Sequence, residues 1–289
     1  MFPRTKIESL SVSRMIIGTN WFMGFSHTSA AKDKYIKTTM TPDRIADVME
    51  VFVKAGIDTM LGLIQFPGLK DGVTETENRT GKKITVISTP TLNIGDRPED
   101  FDEARRAIEK EAEFGTAICM PHTGTTDKLV DMRAHKIRNM DRYCRFIREC
   151  GMVPGLSTHM PEAIIYADES ELDVATYISI YNAAGFLMHV EVDWTHRLIW
   201  NAKHPVITIK PMAAGRLLPL VGLGFSWATI RDQDMVAVGT MTPDEAKEVI
   251  DISLSILERR QPGVELQKTR SKETITPRKK PARGLVAAP

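Results

Sequence analysis

Residues 153–182 read VPGLSTHMPEAIIYADESELDVATYISIYN, and this stretch decides the fold. Val153–Leu156 is a short apolar run, Pro161–Asp168 begins with a proline suited to the first turn of a helix, and Val174–Ile180 is a second apolar, β-branched run. A strand, a helix and a strand in so short a space predict a βαβ unit, which needs parallel strands covered by helices. The polar residues that end both runs then lie where α/β barrels build their active sites.

The same alternation repeats along the whole chain. The predicted strands are Met15–Gly18, Ile57–Ile64, Ile84–Ser88, Thr116–Met120, Val153–Leu156, Val174–Ile180, Val206–Ile209 and Met235–Val238. Helical patterns separate them, and the last of these helices follows Thr242-Pro243, a cap and a first-turn proline. The sequence therefore predicts an α/β fold, a single-domain (β/α)8 TIM barrel over residues 1–260, with a basic C-terminal tail at residues 261–289.

Composition narrows the classes of partner. The chain has 289 residues, 42% hydrophobic and 26% charged, with a net charge of +1, which favours neither a nucleic acid nor a membrane as partner. No apolar run approaches the roughly 20 residues that span a bilayer. Three cysteines without metal-ligand spacing, and no signal peptide, indicate a cytoplasmic location. We expect a small-molecule substrate.

The charge is unevenly distributed between the barrel and the tail. Residues 268–289 carry seven basic side chains and one acid, so that the preceding body has a net charge of −5. Opposite charges on tail and body favour contact between them. We expect a homo-oligomer in which the C-terminal tail docks on a neighbouring subunit.

Several stretches, in this order and at these spacings, resemble the aldo-keto reductase superfamily. They are VSRMIIGTNW, DRIADVMEVFVKAGID, KKITVISTP, GLSTHMPEAI, ISIYN, ITIKPMAAGRL and VAVGTMTPDEAKEVI, which lie between residues 12 and 250. The resemblance implies a TIM barrel that reduces carbonyl groups with NADPH. It also implies a catalytic tetrad of an Asp, a Tyr, a Lys and a His.

The chain departs from that tetrad. Leu61 stands at the Asp position, Pro90 at the Lys position, and no tyrosine occurs between Leu61 and Tyr143. Only His122 matches. Loss of a general acid typically costs about 10²- to 10⁴-fold in rate, so the tetrad is degenerate and NADP is not the favoured cofactor.

Four polar residues end predicted strands and are candidate catalytic residues. His122 and His159 follow the fourth and fifth strands, as a base and an acid or as ligands of one divalent metal ion, with Glu191 as a third ligand. Asn182 and Lys210 follow the sixth and seventh strands and would orient or polarise substrate oxygens. Lys210 is also a candidate Schiff-base or phosphate-binding lysine.

A second set of residues follows the seventh and eighth strands, where barrels hold phosphate groups. The set is Lys210, Gly215, Arg216, Gly239 and Thr240. The helix that begins near Pro243 offers free N–H groups to an anion. Alternatively, the two glycines only permit tight turns.

The leading hypothesis is a barrel enzyme with non-redox acid–base or metal-assisted chemistry, a lyase, isomerase or hydrolase. Its substrate would be small and polar, carbohydrate-like or carbonyl-bearing. One alternative is an NADPH-dependent oxidoreductase of aldo-keto reductase type with a relocated acid such as His122. A third is a catalytically inactive ligand- or nucleotide-binding protein.

Overall fold

A computed structural model describes residues 1–264 and Lys272. The strands are β1 Arg4–Ile7, β2 Leu10–Ser13, β3 Met15–Gly18, β4 Thr59–Gly62, β5 Thr85–Ser88, β6 Ile118–Cys119, β7 Val130–Asp131, β8 Lys136–Ile137, β9 Val153–Pro154, β10 Leu156–Ser157, β11 Tyr177–Ile180, β12 Val206–Ile209 and β13 Met235–Val238. The helices are α1 Asn20–Met23, α2 Ala30–Thr39, α3 Pro42–Lys54, α4 Leu69–Thr80, α5 Pro98–Glu113, α6 Thr123–Leu129, α7 Met140–Glu149, α8 Pro161–Glu169, α9 Val192–Asn201, α10 Pro219–Thr229 and α11 Pro243–Leu257, with a 3-10 turn at Ala213–Gly215.

The central sheet is parallel throughout, in the order β10-β11-β12-β13-β3-β4-β5-β6-β9. Only Gly155 separates β9 from β10, so these two segments form one interrupted barrel strand. β9 pairs with β6 and β10 pairs with β11, which closes the barrel with eight strands. A Cβ atom at Gly155 would lie 2.7 Å from the Met120 side chain, so a larger residue there would require Met120 to move. The predicted (β/α)8 barrel is confirmed.

Side chains alternate between the barrel interior and the layer of helices, as the period-2 geometry of a strand requires. Ile16, Ile87 and Ile207 belong to a small buried apolar cluster inside the barrel. The larger cluster packs between the sheet and the helices and contains residues such as Val86 and Val206. Ile7 and Val12 of the β1–β2 hairpin join the inner cluster, so that this hairpin closes one end of the barrel.

Helix boundaries follow local signals in most places. Thr41 caps α3 by accepting from the Arg44 N–H, and Thr242 caps α11 by accepting from the Glu245 N–H. Glu191 is the N-cap of α9, and Asp193 lies in the first turn of that helix.

Two connections after barrel strands contain additional elements. The segment between β3 and α3 holds the helices α1 and α2. The segment after β6 holds α6, which leads into the β7–β8 hairpin. Both segments place residues beside the carboxyl ends of the barrel strands.

None of the helices within residues 1–264 is long and apolar enough to cross a membrane. The tail expected to mediate subunit contacts lies outside the described residues, apart from residues 261–264 and Lys272. The homo-oligomer with a docked tail therefore stays a prediction.

Candidate active site

The carboxyl ends of the barrel strands form the mouth of the barrel, and the predicted catalytic residues lie there. His122 follows β6, His159 follows β10, Asn182 follows β11 and Lys210 follows β12. The positive charge of Lys210 lowers the pKa of both His122 and His159. Three of the four predicted residues are therefore close enough to interact electrostatically.

His122 is held in one orientation by its own helix. It is the N-cap of α6, and its Nδ1 accepts a hydrogen bond from the Gly124 N–H at 3.1 Å. Because Nδ1 is the acceptor, the neutral ring carries its proton on Nε2. Burial lowers the pKa of His122 and Lys210 lowers it further, against the opposing effect of Asp127. The neutral ring at pH 7 is thus a donor through Nε2.

His159 is also neutral at physiological pH. Burial, followed by the charge of Lys210, lowers its pKa to about 4, although the carboxylate of Asp127 opposes the shift. With both imidazoles neutral, neither His122 nor His159 is a cationic acid at pH 7. A histidine base paired with a histidine acid was expected, but neither histidine is a protonated imidazolium at pH 7 and so neither provides the acid.

Asp127 joins α6 to the loop after β10, a role that the sequence analysis missed. Its carboxylate accepts from the Thr158 hydroxyl at 2.5 Å, the Thr123 hydroxyl at 2.6 Å and the His159 N–H at 3.2 Å. The available signal was the spacing of four between Thr123 and Asp127, which places both on one helix face. These bonds fix the position of the His159 backbone relative to His122.

Lys210 is half-buried, and burial lowers its pKa to about 8. Its Nζ lies 3.2 Å from Nε2 of His27. Within residues 1–264, no carboxylate forms a salt bridge with Lys210. An amine with a pKa near 8 is mostly protonated at pH 7 but gives up its proton more readily than an ordinary lysine.

His27 is a second residue that the sequence analysis did not select. The Arg216 guanidinium donates to the main-chain oxygens of His27 at 3.5 Å and of Ala213 at 3.1 Å, and it stacks over the Phe186 ring at 4.0 Å. Loops that follow β3, β11 and β12 therefore meet at the mouth. The contact between His27 and Lys210 joins residues 183 apart in the sequence, so local sequence patterns could not predict it.

The polar side chain of Asn182 makes hydrogen bonds within the protein. Its Nδ2 donates to the Phe186 carbonyl at 3.0 Å, and its Oδ1 accepts from the Phe186 N–H at 2.9 Å. Both ends of the amide thus hold the turn that places Phe186 under Arg216. The role of Asn182 in orienting a substrate stays a prediction.

The predicted cofactor-binding residues lie in two tight loops. After β12, Lys210, Ala213, Ala214 and Gly215 all have positive φ values of 62°, 50°, 55° and 84°. Left-handed backbone at non-glycine residues is costly, and such strain clusters at ligand sites.

The loop after β13 leaves a polar atom without a partner. A Cβ atom at Gly239 would lie 2.8 Å from the Trp21 ring, so the close approach of Trp21 requires glycine there. The Thr240 hydroxyl oxygen is buried and has no hydrogen-bond partner in the part of the chain that the structure describes. A buried hydroxyl of this kind is normally satisfied, so it fits a ligand that donates or accepts at this position.

The start of α11, by contrast, does not suit an anion. The Thr242 hydroxyl accepts from the Glu245 N–H at 3.2 Å, and the Glu245 carboxylate accepts from the Met241 N–H at 2.7 Å. These side chains occupy the donors that a phosphate would need, and a carboxylate stands beside them.

The expected metal ligands do not assemble. Glu191 is exposed at the start of α9, and across residues 1–264 no group of three His, Cys, Asp or Glu side chains is placed to hold a metal ion. Glu191 follows β11 in the sequence, but it is the N-cap of α9.

The positions of the missing tetrad residues are apolar. Leu61 lies on β4 and packs against the apolar cluster inside the barrel. Pro90 is buried after β5, and its carbonyl accepts from the His122 N–H at 2.8 Å. Neither position provides a charged group, so the tetrad is degenerate in the structure as well as in the sequence.

No protein-family model and no curated protein matches the chain. Solved structures do match it. One is named as an aldo-keto reductase from Pseudomonas aeruginosa, with 13% identity, a TM-score of 0.64 and coverage of 88% of this chain and 94% of that one. Another is an aldo/keto reductase from Brucella melitensis, with 15% identity, a TM-score of 0.57 and coverage of 89% and 98%. A third is an aldo-keto reductase from a deep-sea metagenome library of the Medee basin, with 8% identity, a TM-score of 0.54 and coverage of 93% and 97%.

These matches show that the chain has the aldo-keto reductase-like TIM-barrel fold, as its sequence motifs predicted. They contradict the leading prediction of a non-redox lyase, isomerase or hydrolase, because the proteins that share the fold are named as reductases. The prediction of a divalent metal ion as the cofactor is also contradicted, since the proteins that share the fold are named as reductases and no three His, Cys, Asp or Glu side chains within residues 1–264 are placed to hold a metal ion.

Proposed function

We propose that the protein is an NADP(H)-dependent oxidoreductase that reduces a small carbonyl compound, with Lys210 in place of the missing general acid. One observation carries this proposal. Lys210, whose burial lowers its pKa to about 8, interacts with the neutral ring of His122 at the mouth of the barrel. The fold supports the same class of reaction.

The two side chains have separate roles. The Nε2–H of His122 donates to the carbonyl oxygen of the substrate and orients it, because Gly124 fixes the proton on that nitrogen. The ammonium group of Lys210 delivers a proton to this oxygen as negative charge develops there. A pKa near the working pH is the one that suits a general acid. His122 is not the acid, since burial keeps its ring neutral at pH 7.

The loops after β12 and β13 fit a nicotinamide nucleotide. When bound, this cofactor supplies the hydride. Lys210 and Arg216 offer positive charge, and the Thr240 hydroxyl is an unsatisfied buried group. The start of α11 does not contribute, because its N–H groups are already capped.

Fluorescence titration with NADPH and NADH, followed by turnover assays on a panel of small aldehydes and ketones, tests the proposal. We expect micromolar nucleotide binding, and a decrease in kcat of about 10²-fold or more in the Lys210→Met variant. Lys128→Met, which removes an exposed lysine on α6, is the matched control and should retain activity. Failure to bind either nucleotide, or full activity of Lys210→Met, would overturn the proposal.

A further inference from the structure

We propose that Lys210 is also a site of covalent capture, at which its amine forms an imine with small aldehydes or ketones that carry an anionic group. This reaction needs no nicotinamide nucleotide. It uses the same amine that the proposed reductase uses as its acid, so one molecule cannot carry out both reactions at the same time.

The Lys210 amine lies in an environment without a carboxylate partner in the described part of the chain. Several other lysines pair with carboxylates, including Lys54 with Glu50 and Lys247 with Asp244. The Lys210 Nζ instead lies 3.2 Å from the His27 ring. The groups that Lys210 influences are His27 after α1, His122 after β6 and His159 after β10. The other charged or titratable groups that act on these histidines are Arg216, Asp33, Asp127 and His189.

These surroundings favour the uncharged amine. The carboxylate of Asp127 is used by Thr123, Thr158 and the His159 N–H, and that of Asp33 by Ser26. Burial lowers the pKa of Lys210 from 10.5 to about 8. At pH 7 roughly a tenth of the side chain is then neutral, about 300 times the fraction of an ordinary lysine. The neutral amine is the nucleophile that attacks a carbonyl carbon.

The chemistry balances without a further reagent. The lone pair of Nζ forms a bond to the carbonyl carbon while the carbonyl π-electrons move to oxygen. Both protons of the amine are transferred to that oxygen, which leaves as water when the carbon–nitrogen double bond forms. His27 Nε2 is within reach to accept the first of these protons from Nζ and to return it to the departing oxygen.

Arg216 is placed to bind the anionic group of the ligand. The Arg216 guanidinium contacts two main-chain carbonyls and the Phe186 ring, and no salt bridge pairs it with a carboxylate within residues 1–264. A guanidinium held by neutral groups keeps its full charge for a phosphate or a carboxylate. Arg216 is six residues after Lys210, and both residues contact His27.

Labelling of the full-length chain tests the proposal. The protein is incubated at pH 7 with pyridoxal 5′-phosphate, or with pyridoxal as the uncharged counterpart, and then reduced with borohydride and mapped by peptide mass spectrometry. We expect Lys210 to be labelled at least about tenfold faster than the exposed lysines Lys34 and Lys128, with a rate that rises to a plateau above about pH 8.

Two variants separate the parts of the argument. Arg216→Gln should slow labelling by pyridoxal 5′-phosphate severalfold and leave labelling by pyridoxal unchanged. Lys210→Arg should remove the fast phase with both reagents. Equal labelling of Lys210, Lys34 and Lys128 in the unmodified sequence would overturn the capture site, whether or not a variant folds. Equal rates for both reagents would overturn the anionic requirement. Nucleotide binding and turnover are measured separately, so that failure here leaves the reductase proposal standing.

Discussion

Replacement of Asp127 by Ala should destabilise the protein, because this carboxylate joins α6 to the loop after β10. It accepts three hydrogen bonds, from the Thr123 and Thr158 hydroxyls and from the His159 N–H. Hydrogen bonds to a charged acceptor contribute about 1.5–3 kcal/mol each. The full sum is not lost, since the Thr158 hydroxyl also bonds to the Met160 carbonyl at 3.1 Å and Thr123 is only half-buried.

The largest single loss is the hydrogen bond of the His159 N–H, because this donor is left without an acceptor. We therefore expect the free energy of unfolding to fall by about 3 kcal/mol, close to the value of one or two charged hydrogen bonds. For a chain of this size that corresponds to a decrease in Tm of about 6 °C. Asp127→Asn keeps one acceptor oxygen and should cost about half as much.

Urea unfolding followed by tryptophan fluorescence measures this difference. The matched control is Asp102→Ala, an exposed aspartate on α5, for which we expect a change within about 0.5 kcal/mol. The histidine resonances give a second measurement. Asp127 raises the pKa of His159 against the effects of burial and Lys210, so Asp127→Asn should lower that pKa further below about 4. Equal stability of the Asp127→Ala and Asp102→Ala variants, or a rise in the pKa of His159, would refute this account of the mouth.

Three further predictions concern the same region. The Lys210 ammonium is the acid form, so kcat/KM of the unmodified protein should fall above about pH 8, and the residual activity of Lys210→Met should lack this titration. The pKa of His159 is lowered from 6.5 to about 4 in the folded protein, so the unfolded chain binds a proton at this side chain at a higher pH than the folded chain does. The free energy of unfolding should therefore fall as the pH drops from 6.5 to 4. The urea midpoint of His159→Asn should change less over this pH range. Thr240→Val removes an unsatisfied buried hydroxyl, so the free energy of unfolding should stay equal or rise by up to about 1 kcal/mol, while nucleotide affinity in a fluorescence titration falls about fivefold; a loss of stability with unchanged affinity would contradict the assignment.

The sequence determined the fold because each barrel strand and helix has a local signature. Apolar runs such as Val206–Ile209 and Met235–Val238 are strands with the predicted bounds, and the threonine-proline pairs at 41–42 and 242–243 begin helices. Parallel strands then require that residues at their carboxyl ends share one end of the barrel. For this reason His122, His159 and Lys210 were predictable as neighbours.

Only the tertiary structure decided what those residues do. The contact of His27 with Lys210 joins segments 183 residues apart, and the bonds of Asp127 to the loop after β10 cross 31 and 32 residues, beyond the reach of any local pattern. Glu191 looked like a metal ligand by proximity in sequence, yet it caps a helix and stays exposed. The protonation states depend on burial and on neighbouring charge, which are properties of the assembled barrel. The positions of the strand ends can therefore be predicted from the local sequence, whereas the chemistry at those ends depends on which loops fold over them.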